Sequence, residues 1–274
     1  MRTGTLQLKD YYAFLGDDGK NPLLDYYLPS NSNESKKEKL KRPCIIICPG
    51  GGYWICSETE GEPVALNLLP MGFNVFVLKY STRTYKYPNQ LIEVAAAFNL
   101  IEKKREEWGC DTEKISIIGF SSGGHLAANY ATDYDNKYIK ERFNNVIKPF
   151  SCSLCYPVIT ADDEYSHKGS FLRLLGENPS EEERISVSCE KLVSKNTPPC
   201  FIWHTSRDSV VPVQNSLMFA NALAQNGVPF ELLIYPMGDH GLSVADESVL
   251  DFEDDNSRQI HNWLMQFKVW YKGL

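Results

Sequence analysis

The chain has 274 residues, of which 43% are hydrophobic and 23% are charged, and its net charge is −7. This length suffices for one α/β domain with a sizeable core. The negative charge disfavours nucleic acids and anionic membranes as partners, because both attract basic patches. No apolar run approaches the roughly 18 residues needed to span a bilayer, and residues 1–14 contain no run typical of a signal peptide. We therefore expect a cytoplasmic protein without membrane partners.

In chain order, residues 5–28 predict antiparallel strands at a sheet edge, and the polar stretch 29–42 predicts an exposed loop. Apolar runs then alternate with amphipathic segments, which predicts a mostly parallel sheet with helices on both faces, in a single domain over 1–274. The predicted buried strands are 43–50, 73–80, 114–120, 151–159, 199–205 and 229–236. The predicted helices are 88–108, 213–227 and 255–273.

Residues 160–197 interrupt this alternation of strands and helices. Their polar and charged composition, with only short apolar groups, predicts one or two short helices inserted between two strands of the sheet. We interpret the insertion as a small lid over the sheet edge rather than as a separate domain.

Eight cysteines are present, several of them inside apolar strand-like runs, where cysteine behaves as a small buried hydrophobic residue. The one close pair, Cys152 and Cys155, has the CxxC spacing found in metal and redox sites. No second CxxC or CxxH follows to complete a zinc site. We expect the pair to be strand residues and expect no metal site.

The most informative motif is Gly119-Phe120-Ser121-Ser122-Gly123, a G-x-S-x-G sequence. A strand-like run precedes it and a helix-like run follows it, which is the context of the nucleophile turn in α/β hydrolases. Such a turn holds the serine in a strained conformation above the sheet edge, near a helix N-terminus that stabilises negative charge. We therefore predict Ser121 as the nucleophile. Ser122 is the rival candidate, but it lies at the variable position of the motif.

A serine nucleophile acting on an acyl group needs backbone N–H donors for the oxyanion that forms. One donor in this fold is the residue after the nucleophile, here Ser122, and another comes from the loop after an earlier strand. That loop is Pro49-Gly50-Gly51-Gly52, where three glycines let the backbone approach a substrate closely. Gly51 and Gly52 are the predicted donors, and Pro49 stands where related loops carry a histidine that is not itself a donor.

The general base is predicted to be His240, which lies in a glycine-bounded loop after the strand at 229–236. Each of the other four histidines has a less suitable place. They are His125 on the helix after the nucleophile, His167 in the insertion, His204 at a strand end and His261 in the last helix.

The acid that orients this base should follow the preceding strand, because the chain order in the fold is serine, acid, histidine. Asp208 meets this requirement and precedes His240 by one helix and one strand. Asp239 is adjacent to the histidine, and neighbouring side chains point apart, so it is a poor partner. A turn or helix-capping role for Asp208 remains open at this stage.

Taken in order, the motifs ICPGGGYW, GFSSGGHLAA, HTSRDSVVP and GDHG resemble the bacterial acetyl esterases and acetylxylan esterases of the α/β-hydrolase superfamily. These enzymes are related to hormone-sensitive-lipase-type and feruloyl-esterase-like sugar hydrolases. The resemblance spans about residues 20–270. It implies Ser121, Asp208 and His240 as a triad, neither a metal nor an organic cofactor, and a dimer or tetramer.

We therefore expect a serine carboxylesterase that hydrolyses short acyl esters, such as acetyl groups on sugars or xylan-derived oligosaccharides. Tyr53 and Trp54, beside the oxyanion loop, are predicted to bind the substrate and to restrict acyl length, although Tyr53 also fits a core position. Two alternatives stay open. One is a peptidase of the prolyl-oligopeptidase type, and the other is a non-catalytic binding protein on the same fold.

Overall fold

The computed structural model describes residues 1–30, 40–250 and 255–274. Within these residues eight strands form one sheet. They are β1 (Arg2–Gln7), β2 (Leu23–Leu28), β3 (Arg42–Cys48), β4 (Asn74–Lys79), β5 (Cys110–Phe120), β6 (Cys152–Cys155), β7 (Cys200–Thr205) and β8 (Phe230–Tyr235).

The strand order across the sheet is β1-β2-β4-β3-β5-β6-β7-β8. The N-terminal strands β1 and β2 pair antiparallel with each other, and β2 pairs antiparallel with β4. All the remaining pairs are parallel. The predicted parallel sheet with an antiparallel N-terminal edge is therefore confirmed. Of the predicted strands, that at 151–159 is shorter than expected, because β6 contributes only four residues before the chain leaves the sheet.

Helices cover both faces of this sheet, as predicted. They are α1 (Glu62–Leu68), α2 (Asn89–Lys103), α3 (Arg105–Trp108), α4 (Ser121–Asp133), α5 (Lys137–Lys140), α6 (Lys168–Leu175), α7 (Glu181–Val187), α8 (Cys189–Leu192), α9 (Gln214–Gln225), α10 (Asp255–His261) and α11 (Trp263–Gly273).

The continuous apolar runs of the strands follow from these two helical layers. Along β3, Ile46 packs into the cluster that contains Phe98 of α2 and Phe219 of α9. Its neighbours Ile45 and Ile47 pack on the other face, with α1 and α11. Successive residues of a strand point to opposite faces, so a strand covered on both sides needs apolar residues at every position.

The insertion at 160–197 contains three short helices, α6, α7 and α8, where one or two were expected. The third arises from a break that the composition does not reveal. Ser180 begins α7 with a capping box closed by Glu183, and Ser188 then takes an extended conformation that ends α7 before α8 starts. Movement of the insertion as a lid stays a prediction.

Of the polar stretch 29–42, residues 31–39 lie outside the described residues, and Lys41 beside them is exposed. None of the helices in the described ranges is both long enough and apolar enough to cross a bilayer.

Candidate active site

Ser121 lies at the sharp turn between β5 and α4, and its backbone has a φ of +51°. Two glycines make this turn sterically possible. A β-carbon at Gly119 would collide with the carbonyl oxygen of Gly123, and one at Gly123 would collide with the carbonyl oxygens of Cys48 and Pro49. The left-handed conformation of a non-glycine residue is strained and is held here by close packing of strand against helix.

A chain of two hydrogen bonds joins the three side chains named from the sequence. The Oγ atom of Ser121 lies 2.8 Å from Nε2 of His240. The Nδ1 atom of the same imidazole lies 2.6 Å from Oδ2 of Asp208. With the proton on Nδ1, the histidine donates to the carboxylate and accepts from the serine hydroxyl, which is the arrangement a general base needs. Ser121 is only 7% exposed, so the predicted nucleophile is shielded from bulk water.

Asp208 is held from several sides. Its Oδ1 accepts the backbone N–H groups of Val210 and Val211, at 2.9 and 2.8 Å. Its Oδ2 also accepts from Nε2 of His204, at 3.2 Å. Burial by itself would raise the pKa of Asp208, but the hydrogen bonds from His204 and His240 outweigh it and hold that pKa well below its usual range. The Asp208 carboxylate is therefore ionised at neutral pH.

The sequence predicts His204 only as the end of a strand, and in the structure it also supports Asp208. Its Nδ1 lies 2.7 Å from Oγ of Ser216, and its Nε2 lies 3.0 Å from the carbonyl oxygen of Val211. A proton on Nε2, with Nδ1 accepting from the serine, satisfies both contacts and leaves Nε2–H shared with Asp208. The buried imidazole thus fixes the rotamer of the acid.

The glycine loop after β3 has an unusual backbone. Gly51, Gly52 and Tyr53 all have positive φ, at +115°, +62° and +58°. A β-carbon at Gly51 would meet the carbonyl oxygen of Ile55, so glycine is required there. Within the described part of the chain, the N–H groups of Gly51, Gly52 and Ser122 have no hydrogen-bond acceptor. These three are the donors predicted for the oxyanion.

A buried carboxylate that the sequence did not point to supports this loop. Oε2 of Glu60 accepts the N–H of Gly50 at 2.7 Å, and Oε1 accepts from the hydroxyl of Tyr156 at 2.8 Å. The same hydroxyl accepts the N–H of Ser243, three residues after His240. Burial raises the pKa of Glu60, opposed by its hydrogen bonds and by the charge of His240. Glu60 precedes α1 in a short 3₁₀ turn, where no periodic pattern marks it.

Tyr53 corrects one sequence expectation. Its side chain is only 1% exposed, and its hydroxyl lies 2.7 Å from Nδ1 of His125. The other nitrogen of that imidazole lies 2.7 Å from the carbonyl oxygen of Val187. Burial lowers the pKa of His125 to about 4, so the neutral ring accepts from Tyr53 and donates to Val187. The Tyr53 ring is thus a core side chain and does not face a substrate.

Trp54 differs from Tyr53, because it is 51% exposed beside the loop. Two cations approach its ring, the guanidinium groups of Arg83 at 4.8 Å and Arg173 at 5.4 Å from the ring centroid. Cations over an indole face are favourable. Trp54 therefore keeps the surface position that a substrate contact requires.

The insertion reaches the same loop through α6. Arg173 donates from Nη1 to the carbonyl oxygen of Gly52, at 3.2 Å. His167, just before α6, lies on the same side and hydrogen-bonds through Nδ1 with Oγ of Ser170 at 2.7 Å. Burial, and then the positive charges of His240 and Arg173, lower the pKa of His167. An uncharged imidazole and a guanidinium thus form a wall beside the oxyanion loop.

The cysteine pair on β6 is buried, and the two side chains enter different clusters, Cys152 on one face of the sheet and Cys155 on the other. Side chains on opposite faces cannot bind one ion, so the CxxC spacing here reflects strand packing. Among the described residues, no group of three or more His, Cys, Asp or Glu side chains could hold a metal.

The sheet, with its strand-to-helix serine turn, defines an α/β hydrolase, as expected from the motifs. The BD-FAE family model matches residues 24–223, and the chain therefore belongs to the BD-FAE family.

Two curated relatives agree with the resemblance seen in the motifs. Endo-1,4-beta-xylanase B of Butyrivibrio fibrisolvens is 40% identical over 227 residues, which cover 81% of this chain and 36% of that protein. The acetylxylan esterase of Xylanibacter ruminicola is 28% identical over 261 residues, covering 93% of this chain and 50% of that protein. The chain thus spans between about a third and a half of the length of these two relatives.

Among solved structures, the acetyl ester-xyloside bifunctional hydrolase from Caldicellulosiruptor lactoaceticus superposes with a TM-score of 0.84 at 37% identity. That match covers 99% of this chain and 96% of the other. The carboxylesterase Cest-2923 from Lactobacillus plantarum has a TM-score of 0.81 at 23% identity, and its likeness concerns the fold. The predicted resemblance to serine esterases of this superfamily is confirmed.

Proposed function

We propose that the protein is a serine carboxylesterase that releases short acyl groups, acetyl above all, from sugars or xylan-derived oligosaccharides. The observation that carries the proposal is the hydrogen-bonded chain from Ser121 through His240 to Asp208. It is supported by the names of relatives that span this chain, which include an acetylxylan esterase and an acetyl ester-xyloside hydrolase.

The reaction would run in two halves. His240 takes the proton of Ser121 as its oxygen attacks the ester carbonyl, and the sugar alcohol leaves with that proton. Water then attacks the acyl-enzyme with His240 again as the base, and acetate leaves. The N–H groups of Gly51, Gly52 and Ser122 would stabilise the oxyanion in both halves, each donor contributing roughly 10²–10³ in rate.

A short acyl group fits the crowding around the oxyanion loop better than a long one. A β-carbon built on Gly52 would lie 3.3 Å from Nη1 of Arg173 and 3.8 Å from Cε1 of His167. The insertion therefore leaves little space beside this glycine. The Tyr53 ring does not restrict the acyl chain, because it lies in the core.

Labelling with a fluorophosphonate and a p-nitrophenyl ester series test the proposal. We expect labelling at Ser121, highest kcat/KM for acetate and propionate esters, and loss of nearly all activity in Ser121→Ala with its thermal unfolding unchanged. A preference for acyl chains of eight or more carbons would refute the short-chain assignment. Cleavage of peptides but not esters would favour the peptidase, and no labelling at all would favour a binding protein.

A further inference from the structure

A basic cleft lies next to the oxyanion loop, between the segment after β4 and the C-terminal end of α6. It has a volume of about 560 Å³ and is open to solvent. Arg83, Lys86 and Arg173 line it, together with one acid, Glu177. Three positive side chains against one negative give the lining a net charge of +2, in a chain whose net charge is −7. This local excess of positive charge is opposite in sign to the whole molecule and attracts anions.

The three cations are not used up by acidic partners. In the ranges 1–30, 40–250 and 255–274 no carboxylate forms an ion pair with Arg83, Lys86 or Arg173. The two arginines donate to carbonyl oxygens instead. Nε of Arg83 donates to Trp54 at 3.2 Å, and Nη1 of Arg173 donates to Gly52 and Gly169. These bonds fix both guanidinium groups while leaving other N–H donors available.

The position of the cleft connects it with the ester site. Arg173 both lines the cleft and contacts the carbonyl oxygen of Gly52, whose N–H is one of the proposed oxyanion donors. If the ester carbonyl of a substrate binds at that N–H, a sugar that extends towards Trp54 would come close to this guanidinium. A guanidinium binds a carboxylate through two parallel N–H bonds, and a lysine adds a mobile point charge.

We propose that this cleft binds a carboxylate on the sugar part of the substrate, so that acyl esters of uronic-acid-bearing sugars are preferred over neutral ones. The proposal deepens the proposed esterase function and rests on it for the reaction, although binding of the carboxylate does not require the reaction.

The test compares two substrates that differ in charge alone, methyl tri-O-acetyl-glucuronoside as the free acid and as its primary amide. Acetate release gives kcat/KM for each. We expect the wild-type protein to favour the acid about fivefold or more. Lys86→Gln should lower the acid-to-amide ratio about threefold, and Lys86→Glu should lower it further, because partly exposed ion pairs contribute effects of this size. Added salt should lower the ratio as well.

Lys148→Glu is the matched control, since it makes the same charge change at an exposed lysine outside the cleft. The ratio should stay at its wild-type value in this variant. A wild-type ratio of one or less overturns the proposal. The proposal is also overturned if Lys86→Glu lowers the acid-to-amide ratio no more than Lys148→Glu does.

Ligand-observed NMR with the deacetylated methyl glucuronoside and its amide separates the two proposals. Selective binding of the acid by the wild-type protein, lost in Lys86→Glu, supports the proposed carboxylate site even if no acetate is released. Absence of acetate release refutes only the proposed esterase function. Equal binding of acid and amide refutes the cleft even where the esterase activity is present.

Discussion

The hydroxyl of Tyr156 donates to the buried carboxylate of Glu60 at 2.8 Å. Through this contact one carboxylate supports two separate loops. Glu60 itself holds Gly50 of the oxyanion loop, and Tyr156 holds the N–H of Ser243 beside the histidine loop. The Tyr156 ring also packs against the imidazole of His240, with centroids 5.0 Å apart. The relative position of the proposed base and the proposed oxyanion donors therefore depends on this hydrogen-bonded pair.

Glu60→Gln should reduce both activity and stability. The amide retains one oxygen, but its NH₂ group then faces a donor, either the N–H of Gly50 or the Tyr156 hydroxyl. One buried donor left unpaired costs about 1–3 kcal/mol in the free energy of unfolding. We expect kcat to fall about tenfold, since the oxyanion loop shifts. Urea unfolding and ester hydrolysis measure the two effects. Glu58→Gln, at an exposed neighbour, is the control, and an equal effect there would refute the support role.

Asp208→Asn should lower kcat by roughly 10³–10⁴ with little change in KM, because an amide at this place favours the wrong tautomer of His240. The matched control is Asp239→Asn, which removes a carboxylate next to the same histidine. Asp239 forms no recorded hydrogen bond with His240, whereas Asp208 lies 2.6 Å from its Nδ1. Steady-state kinetics on p-nitrophenyl acetate distinguish the two. A larger loss of kcat in Asp239→Asn than in Asp208→Asn would indicate Asp239 as the acid instead.

Gly51→Ala and Gly52→Ala should both impair hydrolysis, and Gly51→Ala should be the more damaging. An alanine at either position is strained by its positive φ, at a cost of about 1–2 kcal/mol. At Gly51 the new methyl group also meets the backbone oxygen of Ile55, whereas at Gly52 its nearest neighbour is the end of a flexible arginine, at 3.3 Å.

Gly227→Ala separates backbone strain from the chemistry of the loop. Gly227 has a φ of +67° and open space around it, at the end of α9. The Gly227→Ala variant should lose stability as Gly52→Ala does, but it should keep the kcat of the wild-type protein. Equal kcat values for Gly52→Ala and Gly227→Ala would remove Gly52 from the proposed donors.

His125 should contribute a loss of stability on mild acidification. Burial lowers the pKa of this imidazole from 6.5 to about 4, so the unfolded chain takes up a proton before the folded one does. The stabilisation contributed by His125 is fully present above pH 6.5, and it is lost as the pH falls towards 4, by up to about 3 kcal/mol. Urea unfolding across this range measures the slope. His125→Asn should have a smaller slope, and an unchanged slope would contradict the assignment.

Much of the fold was predictable because its signals are local. The three consecutive isoleucines of β3 indicate a strand that is covered on both faces. The glycines around Ser121 indicate a turn with no room for β-carbons. The order of serine, acid and histidine then follows from the topology. The geometry agrees with that order, since Ser121, His240 and Asp208 form one hydrogen-bonded chain.

The parts that the sequence did not reveal depend on contacts between distant segments. Glu60 and Tyr156 are 96 positions apart, and neither lies in a motif. Tyr53 follows the glycines directly, yet its positive φ turns the ring inward to His125, 72 positions away. The break between α7 and α8 rests on one extended serine. No local pattern encodes such contacts, because the free energy that decides them comes from tertiary packing and buried hydrogen bonds.

The bond from Arg173 to the carbonyl oxygen of Gly52 makes the insertion and the oxyanion loop mechanically dependent on each other. The bonded oxygen belongs to the peptide that joins Gly52 to Tyr53, next to the peptide that carries the proposed N–H donor of Gly52. We therefore expect substitutions that shift α6 to shift this loop as well. Engineering the insertion for larger sugars would have to retain this arginine, or supply the carbonyl with another donor.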